Sequence, residues 1–143
     1  MNKEEIIKHY KALLPCEQFV VTGGYALQRI GLKEKSNDID IILVNPTNEA
    51  KSTLERLMKE YPAKSTTGSE NLAIFMHEQT KIDVFEEKNH IETLTVDGFE
   101  ISTVKRIFDA KKRMNRSKDW EQLLNISRRI VTEQEFYNHI DKI

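Results

Sequence analysis

The seven residues Asp38-Ile39-Asp40-Ile41-Ile42-Leu43-Val44 constrain this chain more than any other stretch. Side chains alternate along a strand, so Ile39, Ile41 and Leu43 take one face, while Asp38 and Asp40 share the other with Ile42 and Val44. Beyond its start, such a strand is apolar on both sides and belongs inside a sheet whose two faces are covered. Its start carries two like charges that repel each other and resist the loss of water. Either that end stands in solvent or a cation sits against it. Mg²⁺ is the fitting cation, because it is usually held by one or two carboxylates together with substrate phosphates and waters.

The flanking pattern supplies the rest of an α+β domain. Residues 3–14 place Ile6, Ile7, Tyr10, Leu13 and Leu14 at helical spacing, and Pro15 closes the segment. Residues 19–22 read as a short buried strand running into Gly23-Gly24, followed by a two-turn helix over 25–30 that Gly31 stops. Thr47 or Asn48 caps a helix reaching about residue 61, with Leu54, Leu57 and Met58 inward. Residues 72–76 and 81–85 read as two strands joined by a short turn, and Asp97-Gly98 suits the two-residue turn of a further hairpin. From Ser102, taken as an N-cap, the pattern is helical nearly to the end. The expected architecture is a single domain over 1–143: a mixed β-sheet flanked by helices over about 1–101, then a helical C-terminal segment over about 102–143. The length of 143 residues agrees with the prior of ~150 per domain.

Charge is balanced overall at −1 but unevenly spread. Residues 105–129 hold nine Lys or Arg against three Asp or Glu, so the remainder is acidic. That basic block either attracts phosphates or forms a solvated helix face. The composition excludes a disordered polyelectrolyte and a disulfide-stapled mini-protein, Cys16 being the single cysteine. No apolar run approaches a membrane span and the N-terminus lacks a signal-peptide core, so a cytoplasmic protein without membrane association is expected.

Two further features carry chemistry. Gly23-Gly24, between a strand and a helix, either lets backbone N–H groups approach an anion closely or simply makes a tight turn. It is neither a Walker A loop nor a dinucleotide fingerprint, since no Gly-Lys-Ser/Thr follows and Gly31 is too far on. Asp83 lies between Ile82 and Val84 in a second apolar strand. If that strand neighbours the first, three carboxylates converge and can hold two metal ions; otherwise Asp83 is a surface residue. His9, His77, His90 and His139 show no ligand spacing, so zinc is not expected. No Gly-x-Ser-x-Gly elbow occurs. Cys16, Trp120, Phe75, Phe85, Phe99 and Phe108 read as packing residues.

Taken together, Gly23-Gly24, thirteen residues, Asp38-Ile39-Asp40, and a later Asp83 in an apolar strand resemble the polymerase-β-type nucleotidyltransferase superfamily. The window from Thr22-Gly23-Gly24-Tyr25-Ala26-Leu27 to Ser36-Asn37-Asp38-Ile39-Asp40-Ile41 looks most like its AbiEii-type bacterial branch, and Lys111, Arg116, Lys118 and Asp119 are similar to that branch's helical motif. The resemblance spans about residues 18–125. Gln122 stands where the branch carries an acid, and Lys33 and Lys35 stand near where it carries an arginine.

The resemblance implies an Mg²⁺-dependent enzyme with two ions. Asp38 and Asp40 would hold both, and Asp83 would hold the catalytic one and help deprotonate the acceptor. Gly23, Gly24 and Ser36 would bind the nucleotide, with Lys111, Arg116 and Lys118 on its phosphates. NMP would pass from a nucleoside triphosphate such as ATP to a hydroxyl. The acceptor the resemblance implies would be a tRNA in a toxin-like or phage-defence enzyme with a cognate antitoxin, a partner protein, or a small-molecule antibiotic. The alternative is a non-catalytic nucleotide-binding module on the same fold.

Overall fold

The computed structural model of the chain describes residues 1–31, 36–63, 71–103, 105–107 and 109. Three helices and six strands follow one another as α1 (Lys3–Leu13), β1 (Gln18–Thr22), α2 (Gly23–Arg29), β2 (Ile39–Val44), α3 (Asn48–Glu60), β3 (Ala73–His77), β4 (Thr80–Glu87), β5 (Thr93–Val96) and β6 (Phe99–Ser102). The strands form one mixed sheet in the order β3-β4-β2-β1-β6-β5. β2 lies at its centre, antiparallel to β1 and parallel to β4. The expected α+β architecture with a mixed sheet flanked by helices is what the chain adopts.

Local chemistry explains the boundaries. Asn2 and Glu5 close a capping box on α1, the Glu5 N–H donating to Asn2 Oδ1 at 2.8 Å. Of the two candidate caps for α3, Thr47 serves: its Oγ1 accepts from the Ala50 N–H at 3.1 Å. Asp97 and Gly98 both take positive φ, 52° and 84°, which the two-residue hairpin turn requires. Ser102 is not the helix cap expected of it. It ends β6, and the next residue takes that role, Thr103 Oγ1 accepting from the Arg106 N–H at 3.2 Å. The helix that starts there includes 105–107 and 109, and the remainder of the expected C-terminal helical segment, with Trp120 and His139, lies outside the described residues.

The sheet has two different faces. On one, Phe19, Val21, Ile39, Ile41, Leu43, Phe75, Ile82 and Val84 join α1, α2 and α3 in the main core. The other carries a smaller cluster of Val20, Ile42, Val44 and Ile91, with Phe85 packed against it. The Gln18 side-chain amide fastens Ile91 there, donating to its carbonyl oxygen at 2.8 Å and accepting from its N–H at 3.0 Å. β2 is therefore buried on both sides beyond its start. Cys16 packs at the margin of the main core, where burial pushes its thiol pKa up. Among the described residues no helix is long and apolar enough to cross a membrane.

Candidate functional site

The second face changes character towards the start of β2. Strand register sets Thr22, Asp40, Asp83 and Ile74 in one row across β1, β2, β4 and β3. Asp40 and Asp83 are direct partners on parallel neighbours, so their backbones stand about 4.8 Å apart and their side chains leave the same face. The condition for bringing the two strands' aspartates together is met. Asp38, just ahead of β2, precedes a residue pair, Ile39 and Ile82, that aligns it beside Lys81.

Gly23 meets this row from the β1–α2 turn. Its φ of +67° lies in the left-handed region, and a Cβ placed on it would stand 2.0 Å from Asp40 Oδ2 and 2.9 Å from Asp40 Cγ. A side chain is excluded twice, by backbone conformation and by the carboxylate. α2 begins at Gly23, two residues earlier than the spacing predicts, which places both glycines in its first turn. Thr22 does not cap α2; its hydroxyl shares a 2.7 Å hydrogen bond with that of Ser102, which is fully buried.

Two of the carboxylates share a cation from the chain itself. Lys81 Nζ lies 3.7 Å from Asp38 Oδ2 and 3.8 Å from Asp83 Oδ2. Asn71 Nδ2 reaches Asp83 Oδ1 at 3.5 Å. Ser36, buried, donates from Oγ to the Asp38 carbonyl oxygen at 3.0 Å and so shapes the turn that leads into β2. Sequence reasoning missed Lys81. The signal was present, since a residue two positions before Asp83 on a strand shares its face.

Among the described residues, no group of three or more His, Cys, Asp and Glu side chains is gathered closely enough to hold a metal ion. The structure pairs Asp40 with Asp83 and links Asp38 to Asp83 through Lys81, without drawing the three carboxylates onto one point. The donors are nevertheless hard carboxylate oxygens on one face, the ligand type that suits Mg²⁺. Lys111, Arg116 and Lys118 lie outside the described residues. Of the basic block, Arg106 is occupied by an ion pair with Glu87 at 2.8 Å. His9 and His77 stand with Tyr10, whose hydroxyl hydrogen-bonds His77 Nδ1 at 2.7 Å on the helix-covered face.

No protein-family model matches the chain, and no curated protein matches it in sequence. Its fold does have solved counterparts. One is TM1012 of Thermotoga maritima, a candidate nucleotidyltransferase, with a TM-score of 0.51 and 16% identity over 93% of this chain and 96% of that one. Another is JHP933 of Helicobacter pylori, with a TM-score of 0.55 and 17% identity over 93% of this chain and 70% of that one. At such identities the likeness is one of fold, and the fold is of nucleotidyltransferase type.

Proposed function

We propose that the chain is a nucleotidyltransferase of the AbiEii type, moving a nucleoside monophosphate from a nucleoside triphosphate to a hydroxyl acceptor. One observation carries the reading: Asp40 is the registered partner of Asp83 and also lies against Gly23 at the β1–α2 turn. A carboxylate pair and a side-chain-free backbone turn are the two surfaces that a triphosphate and its counter-ions require.

In this mechanism the acceptor oxygen attacks the α-phosphorus, the bond to the β-phosphate oxygen breaks, and pyrophosphate leaves. Asp83, the most buried of the three aspartates, takes the acceptor's proton. The N–H groups at Gly23 and Gly24 receive the outer phosphates, and Ser36 keeps the turn before Asp38 in shape. Lys111, Arg116 and Lys118 are assigned to the phosphates by their resemblance to the branch's motif. Two Mg²⁺ ions, held by Asp38, Asp40 and Asp83, would supply charge neutralisation at the attacking and leaving oxygens. The first acceptor to test is tRNA, as in a toxin-like or phage-defence enzyme.

The test is incubation of the protein with Mg²⁺ and each α-labelled nucleoside triphosphate in cell extract, beside a D38A/D40A variant. Labelled RNA that the variant fails to make supports the full reading. Labelled protein instead, or pyrophosphate release with an antibiotic, keeps the transferase and changes the acceptor. The absence of all three overturns transfer and leaves a nucleotide-binding module.

A further inference from the structure

Lys81 stands almost midway between two carboxylates yet hydrogen-bonds neither. Its 3.7 and 3.8 Å separations exceed the 2.7–2.9 Å of a charge-assisted N–H···O bond. Lys81 is held by the combined field of two carboxylates, Asp83 on its own strand and Asp38 just ahead of the parallel neighbour β2, and its own side chain remains 31% exposed. Asp83, with a side chain only 12% exposed and a 3.5 Å contact from Asn71 Nδ2 as its other polar partner, gains more from this cation than Asp38, at 46%. One ammonium offsets one of the two charges it touches, so the pair stays net negative and continues to attract a dication.

We propose that Lys81 is a resident counter-cation of this site: it stands between Asp38 and Asp83 in the metal-free protein and gives way when a divalent ion binds. The inference rests on the reading of the aspartates as metal ligands, and adds to it that the ion enters by exchange with a side chain. Two properties follow. The metal-free protein tolerates its paired carboxylates because Lys81 is there. Divalent affinity is correspondingly lower than the carboxylates alone would give.

Mn²⁺ titration followed by electron paramagnetic resonance, with melting in EDTA, tests both properties on K81M, K81R and K81Q. K81M is expected to bind Mn²⁺ roughly three- to tenfold more tightly than wild type, since two partly exposed ion pairs no longer need to be broken. It should also melt earlier in EDTA, and Mn²⁺ should restore it. K81R, keeping the charge, should match wild type in both, and K81Q serves if K81M does not fold. In a D38N/D83N background the lysine change should leave the EDTA melting point unmoved. Mn²⁺ affinity equal to or weaker than wild type in K81M overturns the exchange while leaving the metal site standing; a raised KM for the triphosphate would then make Lys81 a phosphate contact. Mn²⁺ binding by neither wild type nor K81M overturns the metal site together with the inference.

Discussion

The two faces of the sheet use the same strands in opposite ways. On the helix-covered face, β2 presents Ile39, Ile41 and Leu43, all fully buried among α1, α2 and α3. On the other it presents Asp40, then Ile42 and Val44, with the apolar pair held under Ile91 and the aspartate left half-buried beside Asp83. One face therefore carries stability along its whole length, while the second divides along the strand into an apolar part and a charged part. The half-buried Asp40 can be altered at little structural cost because the apolar residues beyond it hold the strand.

The sharpest way to break this comparison is Asp40→Ala. Nucleotidyl transfer should fall at least about 10²-fold, the scale on which loss of one electrostatic stabiliser is felt, with an unchanged melting temperature. An equal loss of folding would show that the two faces are not separable. Leu43→Ala is the reciprocal change. It should cost about 2–5 kcal/mol in denaturant unfolding while leaving the activity per folded molecule intact. Gly23→Ala touches both: the left-handed backbone costs about 1–3 kcal/mol, and the new Cβ must displace the Asp40 carboxylate, so stability and activity fall together.

The smallest effect belongs to Tyr10, on the helix-covered side. Burial, with a lesser contribution from Tyr61, pushes its phenol up from 10.0 to about 12. The folded state thus holds this proton more tightly than the unfolded chain. Its contribution is complete below pH 10 and is lost as pH rises through about 12. Tyr10→Phe should cost about 1 kcal/mol at neutral pH, through the hydrogen bond to His77, and should flatten the alkaline fall in melting temperature.

What could be read from the sequence was whatever depends on neighbours along the chain. Alternation over 38–44 gives the strand, its faces and its charged start. Asp-Gly gives the β5–β6 turn, and Thr47-Asn48 the start of α3, between which the structure selects Thr47 as cap. What could not be read depends on residues brought together from afar. That Asp83 sits opposite Asp40 follows from the β2–β4 pairing, which the notion of two apolar strands leaves open. The approach of Asp40 to Gly23 depends on the β1–β2 register, and it accounts for a glycine that otherwise looks like a simple turn. Lys81 has its own explanation. Its place on the face of Asp83 was legible from the spacing, but only the arrival of Asp38 from just ahead of β2 gives it a second partner. Ser102 was misassigned for the same reason, its hydroxyl being taken by Thr22 from β1.

The central position of β2 bears on how the chain reaches this state. β1 can pair with β2 early, only α2 and a few further residues lying between them in sequence, but β4 arrives only after α3 and β3 have been traversed, and distant pairings of this kind form slowly. In the interval β2 offers an open edge with the run Ile41-Ile42-Leu43-Val44, the sort of segment through which partly folded chains associate. Asp38 and Asp40 stand at the head of that run, where flanking charges act as gatekeepers against association. The residues assigned to nucleotide chemistry in the finished protein thus also stand where gatekeeper charges belong in the folding chain.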